Sequence, residues 1–190
     1  MGYWPFKIDE TQPWAYYTDT FTPKECDKII KLGNKSKLIK GETGNLVQSD
    51  TIRNSNIRFL SPDKNSSWIF ERLTNTTEHI NKQFFNFDLQ GFGENLQFTK
   101  YEAPTGHYSF HTDSSIGLKI RKLSLVIQLT DETDYVGGDL EIKLGDDEIK
   151  LHRTRGTLLC FPSYVLHRVT PVTEGTRYSL VAWVTGPQFK

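Results

Sequence analysis

From about Asn95 to Val184, apolar side chains recur at every second position, the period of a strand with a buried face. The runs are LQFTKYE (96–102), LSLVIQLT (123–130), GGDLEIKL (137–144), EIKLHR (148–153), GTLLCFP (156–162), VLHRVTPV (165–172) and RYSLVAWV (177–184). Turn-forming clusters separate them: APTGH, DETDYVGG, LGDDE and VTEGT. The first half of the chain has a different period. TPKECDKIIKLG (22–33) predicts a helix with Thr22 as its cap, Pro23 in its first turn and Glu25 closing a capping box. Cys26, Ile29 and Ile30 fall on one face of it, and Gly33 ends it. Ile69, Leu73, Thr76, Ile80 and Phe84 share a face of a second helix, about 67–85. Between the helices, a polar segment leads into the short strand-like IRFL (57–60). Helices followed by a run of short strands imply an α+β fold, mainly β. The expected architecture is a jelly-roll core (a double-stranded β-helix) with the N-terminal helices packed on one sheet.

The 190 residues suit one domain, 1–190, long enough to bury roughly 70% of the unfolded surface. Hydrophobic residues are only 36%, but aromatics reach 13%, which argues for a compact chain rather than a disordered one. Lysine plus arginine is 23 and aspartate plus glutamate is 23, so the basic excess of a duplex-binding protein is missing and no nucleic-acid partner is expected. Cys26 and Cys160 are too few for a disulfide framework, and Cys160 in TLLCFP reads as a buried, inert thiol. The opening residues lack the layout of a secretory signal, Phe6 stands where a myristoylation motif needs Ser or Thr, and no apolar run reaches membrane-spanning length. These features predict a cytoplasmic protein, in which the Asn-x-Ser/Thr sequences at Asn34, Asn65 and Asn75 are plain polar sequence.

The chemistry concentrates in HYSFHTD (107–113), which holds two of the five histidines. His111 and Asp113 sit two apart, so both could face one point if the strand end bends toward it. Such a pair alone fits an ordinary polar turn. His167, an imidazole in the strand-like PSYVLHRVTPV, adds a possible third ligand. Arg177 opens a strand whose two faces are both largely apolar. A guanidinium there needs a partner, either one of the protein's own acids or a bound carboxylate. Two histidines and a carboxylate form the facial triad that binds Fe(II) and leaves three positions open, although zinc can use the same ligands.

Several ordered motifs resemble the Fe(II)- and 2-oxoglutarate-dependent dioxygenases of the prolyl 4-hydroxylase type. YEAPTGHYSFHTD is similar to the family's Tyr, Gly-containing loop, Tyr and His-x-Asp. RKLSLVIQLTDETDYVGGDLEI is similar to the following strand, turn and Gly-Gly-x-Leu. KLHRTRGTLLCFPSYVLHRVTPVTEGTRYSLVAWV is similar to the Gly-x-x-x-x-Phe-Pro stretch, the distal His and the basic residue that closes the motif. The resemblance is strong over about 94–186 and fainter through TIRNSNIRFL and the helices. It implies iron ligation by His111, Asp113 and His167, and pairing of Arg177 with the far carboxylate of 2-oxoglutarate. Tyr101 matches a tyrosine lining the co-substrate or substrate pocket, Trp183 an aromatic near iron and substrate, and Arg53 a segment near the substrate. Arg rather than Lys at 177 resembles the bacterial and oxygen-sensing branches. Gln128 stands where oxygen-sensing members carry a tyrosine that helps bind the co-substrate. It shares a strand face with Ser124 and Val126 and is kept as a co-substrate candidate.

The implied activity is hydroxylation of prolyl residues in a peptide or protein, using O2 and forming succinate and CO2, with ascorbate as reductant. The alternatives are a hydroxylase of a free amino acid or other small molecule and, in another class, a non-catalytic jelly-roll binding module. A nucleic-acid demethylase would want a basic groove and a second downstream arginine, whereas only Lys190 follows Arg177 among the basic residues. His107 reads as a surface or supporting residue, and His79 and His152 as exposed. Tyr108, in phase with Phe110 and opposite His111, reads equally as packing. Asp131, Glu132 and Asp134 suit a solvated turn, and Lys35, Lys37 and Lys40 a polar loop. That loop, about 36–56, is the expected substrate lid.

Overall fold

The computed structural model describes residues 12–42, 49–114 and 120–188. The N-terminal residues weighed for a signal or lipid anchor, positions 43–48 of the expected lid, and Lys190 lie outside these ranges. In chain order the elements are β1 (Ala15–Tyr17), α1 (Pro23–Gly33), β2 (Ile39–Lys40), β3 (Arg53–Asn54), β4 (Asn56–Leu60) and α2 (Ser67–Ile80), which runs on into a π-helical turn (Asn81–Phe85). There follow β5 (Gly91–Phe92), β6 (Leu96–Glu102), β7 (Gly106–His111), β8 (Arg121–Gln128) and β9 (Tyr135–Gly137). The last are β10 (Leu140–Leu144), β11 (Asp147–Lys150), β12 (Leu158–Pro162) and β13 (Leu166–Thr185).

The α1 boundary follows its sequence. Thr22 Oγ1 accepts from the Glu25 N–H at 3.3 Å, and a Glu25 carboxylate oxygen accepts from the Thr22 N–H at 2.8 Å. Such a cap contributes about 0.5–2 kcal/mol. Gly33 lies inside the last helical turn, for a packing reason: a Cβ there would stand 2.4 Å from the Phe98 ring, so only glycine lets the helix end touch the sheet. On α2 the buried side chains are Ile69, Leu73, Thr77 and Ile80. Thr77 takes the place predicted for Thr76, whose hydroxyl instead donates to the Arg72 carbonyl.

The strands form two facing layers, all antiparallel. The major layer has the order β1-β12-β8-β13-β6-β4-β2. The minor layer joins β3, β7, β9, β10 and β11 around the first half of β13. β13 therefore belongs to both. The VTEGT cluster, predicted to end a strand, bends one instead. Register shifts interrupt the pairing near Val169 and Val172, and Gly175 adopts φ +72°, where an added Cβ would lie 2.2 Å from the Asp134 carbonyl oxygen. Bulges and a glycine at this corner carry the chain from one layer to the other.

Two apolar cores result. One lies between the major layer and the helices, joining Cys26, Ile29, Ile69 and Leu73 to Phe98, Leu125, Ile127 and Leu180. The other lies between the layers and includes Tyr101, Leu159, Phe161, Ile142, Val169 and Val172. Each fully buried Leu, Ile or Phe contributes about 1.5–3 kcal/mol. Both cysteines are free and buried. Among the described residues, no helix is long and apolar enough to cross a membrane.

Candidate active site

β7 and β13 bring two imidazoles together, because His111 and His167 are direct partners across the antiparallel pair. Their ring centroids are 4.2 Å apart. Asp113 lies beyond the end of β7, where strand alternation no longer aims it. Its backbone N–H donates to the Ser163 carbonyl at 2.9 Å, as does that of Ser114, and this tether turns the carboxylate inward. One Asp113 oxygen is 3.8 Å from His111 Nε2 and the other 3.5 Å from His167 Nε2. One ligand atom from each of the three residues lies within 4.8 Å of the others.

The surroundings hold these groups in ligand-ready form. His111 Nδ1 lies 2.8 Å from the Ser109 carbonyl oxygen and His167 Nδ1 lies 2.9 Å from that of Val165. An Nδ1–H donated to each carbonyl leaves Nε2 as the free lone pair. Burial, and then the neighbouring His167, pull the His111 imidazole down to about 4, so it is neutral at ordinary pH. Burial pushes the Asp113 carboxyl up, but the two imidazoles and a hydrogen bond from Ser124 outweigh it and hold the carboxyl below its usual range. Ser124 Oγ donates to Asp113 Oδ2 at 2.7 Å and stands 3.0 Å from Ser163 Oγ. Two imidazoles and a carboxylate suit a borderline divalent ion such as Fe(II).

The triad opens into a cavity of about 640 Å³, also lined by Arg177, Tyr101, Trp183, Arg53, Tyr108 and Arg121. A space of this size holds a small diacid together with part of a second molecule. Arg177, paired in register with Tyr101, is only 1% exposed. Its Nη2 donates to the Gln128 side-chain oxygen at 2.9 Å, while Nε and Nη1 have no hydrogen-bond partner among the described residues. Among the described residues no acid of the protein pairs with it, and its neighbour is a neutral amide. Gln128 itself does not line the cavity. Its amide oxygen accepts from Arg177, and its amide nitrogen donates to the His152 carbonyl at 3.1 Å.

Trp183 lies under the Arg121 guanidinium, 3.9 Å from its ring centre. Glu94 pairs with Arg121 at 2.7 Å, and the Arg121 Nη1 reaches the Asp113 carbonyl oxygen at 3.4 Å. Arg53 is 5% exposed; it donates to Ser55 and to the Glu42 carbonyl, and its Nη2 has no partner among the described residues. Its guanidinium lies 4.6 Å from the centre of the Tyr108 ring, which stacks on His111 at 3.6 Å. Tyr108 thus shares the face of His111 instead of opposing it. Three steps along β7, from Tyr108 to His111, match two along β13, from Val169 to His167, and this extra residue inverts the alternation. His107 contacts the Thr105 and Thr51 carbonyls away from the triad, and His79 and His152 are exposed. Asp131 caps its own turn through Thr133. Sequence reasoning missed Ser124, Ser163, Arg121 and Glu94. Only Ser124 carried a signal, as a polar residue in phase with Gln128 inside an apolar strand.

Residues 96–185 match the family model described as the 2OG-Fe(II) oxygenase superfamily. This segment, just under half of the chain, is similar to that superfamily. It contains the whole His111–Asp113–His167 cluster and Arg177. Among curated relatives, a PKHD-type hydroxylase of Picosynechococcus sp. is 39% identical over 90 residues, covering 47% of this chain and 41% of the relative. A PKHD-type hydroxylase of Sphingopyxis alaskensis is 30% identical over 109 residues, covering 55% of this chain and 50% of the relative. The match thus spans half or less of the length of these relatives. In fold, the chain is similar to a Pseudomonas putida prolyl-4-hydroxylase, with TM-score 0.75, 22% identity and coverage of 94% of this chain and 95% of the other. It is similar also to a Trichoplax adhaerens prolyl hydroxylase solved with a hypoxia inducible factor peptide fragment, with TM-score 0.78, 17% identity and coverage of 91% and 83%. At these identities the likeness is one of fold, and the fold is the jelly-roll with helices on the major layer expected from the sequence.

Proposed function

We propose that the protein is an Fe(II)- and 2-oxoglutarate-dependent dioxygenase that hydroxylates prolyl residues of a peptide or protein. The observation that carries this reading is the pairing, in one cavity, of the His111–Asp113–His167 cluster with a buried Arg177 that has unpaired nitrogens. His111, Asp113 and His167 would hold iron on one face. Arg177 would grip the far carboxylate of 2-oxoglutarate, with Tyr101 forming the wall between. Bound iron and 2-oxoglutarate supply the oxygen-activating chemistry, in which 2-oxoglutarate ends as succinate and CO2. The protein's own residues bind, orient and exclude water. Trp183 and Arg53 flank the space left for the substrate, and the unpaired Arg53 Nη2 suits a substrate carbonyl oxygen. Ile39, 61% exposed, and Phe59, 44% exposed, continue the cavity outward as an apolar rim, which favours a peptide over a free amino acid.

Ascorbate is the proposed reductant, and the cytoplasm the proposed compartment; two buried free thiols fit a reducing setting. That the chain works as one domain belongs to the same reading and is supported by β13, which both layers share.

The test is succinate release from 2-oxoglutarate with Fe(II) and ascorbate, with and without proline-containing peptides, followed by mass spectrometry of the peptide. The expected result is iron-dependent succinate and a peptide heavier by one oxygen. Oxygenation of free proline but not of peptides would move the substrate to the small-molecule class. Binding of 2-oxoglutarate without any turnover would leave a binding module.

A further inference from the structure

We propose that Gln128 is a positioning residue for the co-substrate, holding Arg177 so that its charge and two of its nitrogens stay available to a carboxylate. The inference rests on the 2-oxoglutarate reading above.

Gln128 and Arg177 are 2% and 1% exposed, so their contact is sealed from water. Only the oxygen of the amide can accept from Arg177 Nη2, and only its nitrogen can donate to the His152 carbonyl. The two bonds therefore fix which way round the amide sits. The backbone is fixed as well. The Gln128 N–H donates to the Thr157 carbonyl at 3.1 Å, and its carbonyl accepts from Gly156 at 2.8 Å. The anchor at His152 has its own support, because the His152 ring packs on Tyr16 at 4.1 Å.

The chemistry of an amide matters here. A carboxylate in this place would satisfy the same nitrogen but cancel the charge, and Arg177 would then attract an incoming diacid less. An apolar side chain would leave the charge but free the guanidinium to rotate. Glutamine satisfies one donor, restrains the rotamer and leaves the cation whole. Gln128 does not line the cavity, so it acts through Arg177 and not on the ligand.

The experiment compares wild type with Gln128→Met and Gln128→Glu, both of similar length. Anaerobic calorimetry of the Fe(II)-loaded proteins gives the affinity for 2-oxoglutarate, separate titrations give that for Fe(II), and thermal melts monitor folding. Methionine is expected to weaken 2-oxoglutarate by about tenfold and glutamate by about a hundredfold, with Fe(II) affinity unchanged and KM rising more than kcat falls. The order is the signature. A mere prop for the core would be better replaced by the isosteric acid, which can still bond Arg177, than by methionine. Wild-type 2-oxoglutarate affinity in a folded variant, methionine worse than glutamate, or parallel loss of iron and 2-oxoglutarate would each overturn the proposal. Failure of both variants to fold would make Gln128 a structural prop and overturn it too. If wild type itself does not bind 2-oxoglutarate, the functional reading falls, and this inference with it.

Discussion

The two faces of the major layer are built from the same strands but have opposite characters. On β8, Leu123, Leu125 and Ile127 face the helices, while Ser124, Val126 and Gln128 face inward. On β13, Leu180, Ala182 and Val184 face the helices, while Arg177, Ser179 and Trp183 face inward. The helix-covered side is a dry apolar core. The cavity side holds polar groups that are either paired, such as Ser124 with Asp113 and Gln97 with Thr99, or have nitrogens without a partner among the described residues, such as Arg177 and Arg53. A strand's period of two thus separates stability from chemistry at adjacent residues. Buried polar groups without partners are rare, and the two arginines that have them here, Arg177 and Arg53, both line the cavity.

Substitutions on the two faces should therefore fail differently. The largest effect is expected from His167→Ala, which removes one of the three proposed ligands: iron-dependent turnover should disappear while circular dichroism keeps the native spectrum. Near-normal turnover would mean that the metal sits elsewhere. On the other face, Leu180→Ala should cost about 2–5 kcal/mol in urea unfolding, because Leu180 is fully buried between strands and helices. Its 2-oxoglutarate and iron affinities, measured on the folded protein, should not move. If they move as much as stability does, the faces are not independent. Arg177→Ala is expected to cost about 1.5–3 kcal/mol of 2-oxoglutarate binding, the worth of hydrogen bonds to a charged group, or roughly 10- to 150-fold in Kd. Iron binding should be spared, and equal loss of both would deny Arg177 its assigned partner.

Much of this contrast could be read before folding. The period-two runs located the long strands, the capping box located α1, and the ordered motifs located the triad and Arg177. What was hidden depends on register, which no local pattern encodes. The bulge that turns Tyr108 onto His111 needs the pairing of β7 with β13. Gly175 looked like the end of a strand because a glycine at positive φ serves a turn and a bend equally. Arg121 and Glu94 are 27 positions apart, and opposite charges at such a distance carry no signal until β6 and β8 are placed. Gln128 is on the inward face by period alone, but its bond to Arg177 depends on the pairing of β8 with β13. Strands of two or three residues, such as β3 and β5, are too short for any period to show.

The smallest expected effect tests the dry face by its lack of chemistry. Cys26 and Cys160 both lie in the core between the helices and the major layer. Burial pushes the Cys26 thiol up to about 11, and burial alone raises Cys160 as well. At pH 8 a thiol of that kind is ionised to roughly one part in a thousand, and the thiolate is the reactive form. Native protein at pH 8 should therefore resist iodoacetamide at both positions, while urea-unfolded protein should take up two labels by mass. The sign of the pH dependence follows. Between the ordinary thiol value near 9 and about 11, the unfolded chain loses a proton that the folded chain keeps, so stability should fall as pH rises through that window. Leu180→Ala should label faster than wild type because it opens this core, whereas Arg177→Ala should label no faster. Equal labelling of the two variants would show that the faces share one opening motion, and that the separation seen in the side chains does not extend to the dynamics.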